Sequence, residues 1–173
     1  MNVLERFTPI RLFAFDMDGV LTDGTVMVMP GGEWVRRMNI RDGFALQLAV
    51  KKGYEVALIT GSWSQPVADR MRKLGIQHVF EKVADKSTCL HDLMFTLGLK
   101  PEQVLFMGDD VPDLPALLVA GLPACPADAV DDVRLVSQYI SPFKGGEGCV
   151  RDVIEKTLRL NGHWDHGTGL RSI

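Results

Sequence analysis

Residues 12–22 of the chain read LFAFDMDGVLT, and this stretch decides the fold. Residues 12–15 are all apolar, which predicts a short strand that is buried on both faces of a sheet. Two acids, Asp16 and Asp18, follow where that strand ends. Parallel strands present ligand-binding groups at their carboxyl ends, and side chains two residues apart point the same way. Both acids are therefore predicted to face one crevice.

Two carboxylates placed so close together need a compensating charge. At about 4 Å they repel each other by about 4 kcal/mol in a partly screened site. A divalent cation, a lysine or a shared proton would relieve this repulsion. Gly19 then lets the backbone turn tightly against a bound group. The alternative explanation is an Asx turn that happens to carry a second acid.

Strands and helices alternate along the rest of the chain. The strands are predicted at 11–16, 54–60, 78–80, 104–108, 122–125 and 138–140, and the helices at 42–51, 64–74, 86–97, 111–119, 129–136 and 148–160. This alternation predicts an α/β fold, a doubly wound Rossmann-like parallel sheet. One domain is predicted over residues 1–160, with a C-terminal tail at 161–173.

Composition excludes several classes of function. The 173 residues suit one domain with a substantial core. A net charge of −3 gives no electrostatic reason to bind nucleic acid or an anionic membrane. Apolar runs are too short to span a bilayer, and the N-terminus lacks a secretory pattern. Three cysteines without metal-ligand spacing, Cys89, Cys125 and Cys149, predict reduced thiols in a cytoplasmic protein.

Polar residues follow the strands in a characteristic order: an acid pair, a hydroxyl, a lysine and a second acid cluster. In chain order they are Asp16, Asp18, Thr60, Gly61, Lys86, Asp109, Asp110 and Asp113. Each lies at or near a strand end or a helix start. This order and context resemble the four motifs of the haloacid dehalogenase superfamily. The resemblance implies a phosphoric monoester hydrolase.

The resemblance also implies roles for the motif residues. Asp16 would attack phosphorus to form an aspartyl-phosphate. Asp18 would protonate the departing alcohol and then activate water. Thr60, helped by the backbone at Gly61, would hydrogen-bond a phosphoryl oxygen, and Lys86 would place a positive charge beside the phosphate.

The metal implied by the resemblance is Mg²⁺. It would bind Asp16, Asp109 and the backbone carbonyl of Asp18, and oxygen ligands without Cys or His suit magnesium better than zinc. Asp113 would orient Lys86 or a metal-bound water, in a supporting role. For Asp110, also a supporting residue, a helix N-cap and a ligand remain alternatives.

Residues 23–39 contain a hairpin signature, two apolar segments on either side of Pro30-Gly31-Gly32-Glu33. Superfamily members often insert a cap domain here, so the chain resembles a capless member. Capless members commonly close the site with neighbouring subunits, and in one branch paired hairpins build a homotetramer. Met27, Met29 and Trp34 would then lie in an interface. The alternative is a hairpin that folds over its own core.

Two further segments bear on the substrate. Residues 39–43 and 144–151 resemble the capless branch that dephosphorylates 3-deoxy-D-manno-octulosonate 8-phosphate, an intermediate of lipopolysaccharide sugar synthesis. The last three residues, 171–173, also resemble its tail. Arg41 could pair with a sugar-acid carboxylate through a two-pronged contact. Alternatively, Arg41 and the following acid form a local pair that begins a helix.

Two departures leave the substrate open. The branch often has Arg or Glu after the Thr-Gly of the second motif, where this chain has Ser62-Trp63. Glu147 is shared with a sibling activity on nine-carbon keto-deoxy acid 9-phosphates, so that substrate, or another small phosphate ester, is the first alternative. A non-catalytic tetrameric scaffold and a phosphomutase are the others. The intact acids argue against a scaffold, and the missing cap argues against a mutase.

Overall fold

Six parallel strands form the central sheet in the computed structural model, which describes residues 2–165 of the chain. The strands are β1 Leu12–Phe15, β2 Met27–Val28, β3 Trp34–Val35, β4 Glu55–Ile59, β5 His78–Phe80, β6 Val104–Met107, β7 Leu122–Cys125 and β8 Tyr139–Ile140. The α-helices are α1 Ile40–Lys51, α2 Gln65–Lys73, α3 Lys86–Leu97, α4 Leu114–Val119, α5 Asp131–Val136 and α6 Cys149–Leu160. Strands β2 and β3 form a separate hairpin.

The strand order in the sheet is β5-β4-β1-β6-β7-β8. The chain builds one side of the sheet outward from β1 to β4 and β5, and then crosses back to β6 beside β1 to build the other side. The order therefore reverses between β1 and β6, and ligands bind in the crevice that such a reversal opens beyond the strand ends. The predicted doubly wound sheet without a cap domain is confirmed.

Alternating residues of the strands feed two cores on opposite faces of the sheet. Phe13 and Phe15 face the layer of α1, α2 and α6, whereas Leu12 and Ala14 face the layer of α3, α4 and α5. All four are at most 1% exposed. Burial on both faces explains why β1 is a continuous apolar run rather than an alternating one.

The hairpin after β1 stands apart from both cores. Its strands pair antiparallel, Met27 with Val35 and Val28 with Trp34. All four side chains are exposed. A two-stranded hairpin is marginally stable in water by itself. Its exposed apolar surface is of the kind that marks an interaction site.

The first residues of the predicted tail pack against the domain. The Trp164 ring lies edge-on to Phe44 of α1 at 6.0 Å between centroids. The side chains of Tyr54 and His163 are hydrogen-bonded at 2.9 Å. The remaining tail residues, including His166 and the terminal Arg171-Ser172-Ile173, lie outside the described residues. Among residues 2–165, every helix is too short or too polar to cross a bilayer.

Asp42 of α1 caps a different helix. Helix α6 begins at Cys149, and its N-cap residue, Gly148, has no side chain to accept a hydrogen bond from the first turn. The Asp42 carboxylate supplies this acceptor, because its Oδ1 lies 2.8 Å from the backbone nitrogen of Arg151. Burial raises the pKa of Asp42 from 3.8 to about 6, although the hydrogen bond from Arg151 opposes that shift. The carboxylate therefore joins α1 to α6 at the cost of a buried charge.

We expect Asp42→Asn to alter the pH dependence of stability. An acid whose pKa is raised on folding binds more protons in the folded state. The free energy of unfolding therefore decreases as the pH rises from about 4 to about 6. The asparagine keeps an acceptor oxygen without the charge. Relative to wild type, the variant should gain up to about 3 kcal/mol in unfolding free energy between pH 4 and pH 7.5. Urea unfolding at both pH values measures this difference, and a pH-independent difference would contradict the expectation.

Candidate active site

Asp16, Lys86 and Asp113 form a buried ion-pair cluster at the carboxyl end of β1. The Lys86 ammonium nitrogen lies 2.7 Å from Asp16 Oδ1 and 2.6 Å from Asp113 Oδ1. Asp16 directly follows β1, and its backbone N–H donates to Met107 O at the end of β6. The cluster therefore occupies the crevice between β1 and β6. Lys86 is the lysine that the sequence assigned to this site. Its contact with Asp113 corresponds to the first of the two alternatives that the resemblance implied for that acid, orienting Lys86 or a metal-bound water.

The position of Lys86 follows from a strongly capped helix start. Lys86 is the first residue of α3, and the preceding Asp85 accepts hydrogen bonds from the backbone N–H groups of Ser87 and Thr88. These bonds satisfy N–H groups that have no partner within the helix. The cap fixes where α3 begins, and it thereby fixes the direction from which the lysine enters the site.

Asp109 completes the acid cluster. Carboxylate oxygens of Asp16, Asp109 and Asp113 all lie within 4.8 Å of one another. Asp109 presses against the turn after β1, where Gly19 has φ +86°, a left-handed conformation. A Cβ atom at position 19 would lie 1.9 Å from Asp109 Oδ2. Glycine is thus required there both for its backbone conformation and for the space that Asp109 occupies.

The cluster carries more negative than positive charge. When all three acids are ionised, three carboxylates face one ammonium and two negative charges are uncompensated. Burial raises the pKa of Asp16, Asp113 raises it further, and Lys86 opposes both. Burial and then the charges of Asp16 and Asp113 raise the pKa of Asp109 to about 8. Burial lowers the pKa of Lys86, but the two carboxylates that it contacts more than offset this and raise it.

A divalent cation fits this arrangement. Asp109 Oδ1 is buried and has no hydrogen-bond partner among the described residues. The Asp113 carboxylate is already engaged, since Oδ1 pairs with Lys86 and Oδ2 accepts from the backbone N–H of Asp109 at 2.9 Å. Asp16 and Asp109 are therefore the acids best suited to hold a cation. Such an ion would neutralise the excess charge through hard oxygen ligands, as Mg²⁺ prefers.

Thr60 lies at the next strand end. It follows β4, which pairs directly with β1, and it is 1% exposed. Its hydroxyl oxygen accepts a hydrogen bond from the backbone N–H of Ser62 at 3.1 Å, which shapes the loop through the exposed Gly61. Strand order therefore brings Thr60 to the same edge of the sheet as Asp16.

Asp18 is not one of the three clustered acids; it contacts a residue that the sequence analysis did not identify. Both of its carboxylate oxygens accept hydrogen bonds from Arg36, at 2.7 Å from Nε and 3.2 Å from Nη2. Arg36 follows the hairpin strand β3 and lies in an ordinary basic pair, Arg36-Arg37. Nothing in its local sequence marks it, because the contact depends on how the hairpin folds back over the turn after β1.

Asp110 lies at the edge of the site. Its Oδ1 accepts a hydrogen bond from the Val111 N–H at 2.8 Å, and its side chain caps the short 3₁₀ turn that precedes α4. Of the two alternatives that the sequence left open for Asp110, its contacts are those of an N-cap.

Arg41 and Glu147 lie in a cleft other than the crevice between β1 and β6, which we call the second cleft. Both line a cavity of about 500 Å³ along α6, together with Arg151 and Lys156. The loop that carries Glu147 packs closely against the turn after β1, since a Cβ atom at Gly145 would lie 1.9 Å from Gly19 O. Within one protomer, the structure does not bring Arg41 among the carboxylates.

A larger cleft of about 890 Å³ opens beside Asp18, between the hairpin and α2. Trp34 and Trp63 line its apolar wall, and Arg36 and Ser62 line the part nearest Asp18. Its size suits a small organic ligand.

Comparisons with known proteins identify the family. The family model described as haloacid dehalogenase-like hydrolase matches residues 39–121. The chain is 36% identical over 169 residues to the 3-deoxy-D-manno-octulosonate 8-phosphate phosphatase KdsC of Yersinia pestis, which covers 98% of this chain and 90% of that protein.

Solved structures give the same result. A crystal structure of the Yersinia pestis phosphatase matches with a TM-score of 0.93 and 35% identity over 99% of this chain and 92% of that chain. The corresponding phosphatase of Moraxella catarrhalis, in complex with magnesium, phosphate and KDO, matches with a TM-score of 0.87 and 36% identity. That match covers 91% of this chain and 90% of the other.

Proposed function

Because the chain belongs to the haloacid dehalogenase-like hydrolases, we propose that it is a Mg²⁺-dependent phosphatase. Its substrate is 3-deoxy-D-manno-octulosonate 8-phosphate, which it hydrolyses to KDO and inorganic phosphate. The observation that carries the proposal is the contact between Lys86 and Asp16 at 2.7 Å, in the crevice between β1 and β6. The Lys86 ammonium group offsets negative charge at Asp16 and thereby lowers the repulsion that an approaching phosphate dianion would meet.

In the first half-reaction, Asp16 is the nucleophile. One of its carboxylate oxygens attacks phosphorus as the ester P–O bond breaks, which yields an aspartyl-phosphate and an alcohol. Asp18 donates the proton that the departing oxygen requires. Thr60 and the backbone at Gly61 hydrogen-bond the phosphoryl oxygens, and Lys86 offsets their charge.

In the second half-reaction, water hydrolyses the aspartyl-phosphate. Asp18, now ionised, takes a proton from the attacking water, and the phosphorus–oxygen bond to Asp16 breaks. Inorganic phosphate leaves and both acids return to their starting forms. Asp113 keeps Lys86 in place throughout by holding its ammonium group at 2.6 Å.

Asp16, Asp109 and the backbone carbonyl of Asp18 would hold the Mg²⁺ ion. When bound, the ion supplies positive charge that offsets the phosphoryl oxygens and the excess negative charge of the acid cluster. The buried, unpartnered Asp109 Oδ1 supports this assignment.

Similarity to relatives supports the choice of substrate. The relatives that cover nearly the whole chain act on 3-deoxy-D-manno-octulosonate 8-phosphate by name, and one of them was crystallised with KDO. Arg41 lies in the second cleft. Its proposed pairing with the substrate carboxylate would therefore require the substrate to extend into that cleft, or the cleft to face the active site of a neighbouring subunit.

A substrate panel tests the proposal. With Mg²⁺, kcat/KM for KDO 8-phosphate should exceed that for a neutral sugar phosphate such as glucose 6-phosphate by at least about tenfold. A nine-carbon keto-deoxy acid 9-phosphate is the comparison that separates the sibling activity. EDTA should abolish phosphate release and excess Mg²⁺ should restore it. Release of an isomerised sugar phosphate without free phosphate would contradict the proposal in favour of a mutase.

We further propose that the chain forms a homotetramer through its hairpins. Met27 and Trp34 are 65% and 59% exposed in the protomer, and Met29 beside them is also exposed, so the hairpin does not bury them over its own core. Exposed apolar surface of this kind is typical of an interface.

We expect Trp34→Glu to dissociate the assembly, because a charge would have to be buried in the interface. Sedimentation velocity measures the change in mass. Leu118→Glu is the matched control, since Leu118 of α4 is 73% exposed but does not belong to the hairpin. A wild-type protein that sediments as a monomer would refute the proposed tetramer.

A further inference from the structure

Arg36 is a buried cation at the end of an exposed strand. Its side chain is only 3% exposed, although the adjacent Trp34 and Val35 of β3 are exposed. Burying a guanidinium group is costly unless hydrogen bonds and a counter-charge compensate for the lost hydration. For Arg36, these hydrogen bonds and the counter-charge come from residues of the active site.

The guanidinium group grips Asp18 with two of its nitrogens. Nε lies 2.7 Å from Asp18 Oδ1, and Nη2 lies 3.2 Å from Oδ2. A planar fork that engages both oxygens fixes the rotation of a carboxylate, whereas a single ammonium contact does not. The hydroxyl of Thr22, at 3.5 Å from Oδ1, is a weaker contact. Arg36 is thus the main restraint on an Asp18 side chain that is 33% exposed.

Arg36 also connects Asp18 to the loop that carries Thr60. Its Nη2 donates to Ser62 Oγ at 2.9 Å, and the Ser62 backbone N–H donates to Thr60 Oγ1. The hairpin, the turn after β1 and the loop after β4 are therefore joined through one side chain. Ser62 stands where the capless branch often has Arg or Glu, and here it serves as an acceptor for an arginine that comes from the hairpin.

The two cations of the site divide the acids between them. Lys86 contacts Asp16 and Asp113, deep in the crevice. Arg36 contacts Asp18, at the opening toward the 890 Å³ cleft. The nucleophile and the acid/base residue therefore have separate positive partners, and each can be perturbed separately.

We propose that Arg36 is a positioning residue, which holds the Asp18 carboxylate in place for proton transfer to the leaving oxygen. This inference rests on the proposed phosphatase function. As the ester P–O bond breaks, the proton passes from Asp18 to the alcohol oxygen, and the carboxylate that remains is the form that Arg36 binds. The same contact then holds the carboxylate ready to take a proton from the attacking water. Arg36 itself gains and loses no proton.

The test compares two substrates whose leaving groups differ in their need for a proton. The alcohol of KDO 8-phosphate departs with a proton, whereas p-nitrophenolate departs readily without one. The parameter kcat/KM covers the steps through cleavage of the ester bond, so it isolates the first half-reaction. For Arg36→Ala we expect kcat/KM to fall roughly 10- to 100-fold with KDO 8-phosphate and less than about threefold with p-nitrophenyl phosphate.

Two further variants separate positioning from a general effect on folding. Arg36→Lys keeps the charge but loses the fork, so it should show the same selectivity at a smaller size, with an unchanged melting temperature. Arg37→Ala is the matched control, since Arg37 is 80% exposed and pairs with Asp23 on the surface. It should behave as wild type with both substrates. In an Asp18→Asn background, Arg36→Ala should cause no further loss, because the residue acts through Asp18.

Several outcomes would overturn the inference. Equal losses with the two substrates would mean that Arg36 only maintains the fold. A full additional loss in the Asp18→Asn background would mean that it acts independently of Asp18. Wild-type rates in both Arg36 variants, with an active wild-type enzyme, would refute the positioning role while leaving the phosphatase proposal intact. A wild-type protein that releases no phosphate from either substrate would refute both.

Discussion

Asp16→Asn is expected to lower kcat for phosphate release by at least about a thousandfold, because the amide cannot form the phosphorylated intermediate. The geometry around residue 16 should survive the change. An asparagine is nearly the same size as the aspartate, and it retains one oxygen that can accept the hydrogen bond from Lys86, now at 2.7 Å from Asp16 Oδ1. The loss should therefore appear in chemistry rather than in stability.

Initial rates of phosphate release with Mg²⁺ and KDO 8-phosphate measure the effect. In parallel, acid-quenched wild-type enzyme should carry phosphate on residue 16, and the variant should carry none. Asp69→Asn is the matched control, because Asp69 is a half-exposed acid on α2 that contacts Gln65 and Arg72. A rate for Asp16→Asn within tenfold of wild type would exclude Asp16 as the nucleophile.

Lys86→Met should destabilise the protein by about 3–5 kcal/mol when divalent cations are removed by EDTA. The change leaves Asp16 and Asp113 buried without their shared positive partner, 2.7 Å and 2.6 Å away in the wild type. The acids would then take up protons in the folded state, so the loss should be larger at pH 8 than at pH 5. Activity should fall at least about a hundredfold, because the charge beside the phosphate is lost.

Urea unfolding with EDTA and then with Mg²⁺ measures both parts of this expectation. Added Mg²⁺ should recover some of the lost stability, since a bound cation supplies charge to the same acids and stabilises the folded state. Lys100→Met is the control for a lysine on the surface and should change stability by less than about 0.5 kcal/mol. Equal stability of Lys86→Met and wild type in EDTA would show that the lysine does not compensate the acid cluster.

The charge balance of the acid cluster allows Lys86 and a metal ion to share one site. The raised pKa of Asp109, about 8, results first from burial and then from the neighbouring Asp16 and Asp113. One lysine offsets only part of the negative charge of three clustered acids, so the site can still bind a cation. Gly19 also contributes to this site, because any larger residue would occupy the space of the Asp109 carboxylate.

The predictions from sequence succeeded where chemistry follows local rules. Short, largely apolar segments of three to seven residues predicted the six strands of the sheet, and the helices between them were predicted within a few residues of their observed bounds. The clearest difference is at 111–119, predicted as one helix. The structure has a 3₁₀ turn at Val111–Asp113 followed by α4, since Pro112 and the Asp110 cap tighten the first turn.

Other features could not be read from the sequence because their partners are distant along the chain. Asp42 caps a helix whose accepted N–H belongs to Arg151, 109 residues away. Arg36 reaches Asp18 across 18 residues and Ser62 across 26. No periodicity or motif spacing encodes either contact. Each depends on the angle at which one element packs on another.

The sequence by itself determined the parallel sheet, its two buried faces and the order in which the acid pair, hydroxyl, lysine and second acid cluster reach one edge. It could do so because side-chain alternation and the polarity of parallel strands are properties of short segments. Only the tertiary structure decided which cation serves which acid, and that Arg41 lies in a separate cleft. Those outcomes depend on how the hairpin and α6 pack against the sheet, where a guanidinium or carboxylate group is retained only if burial also provides its partner.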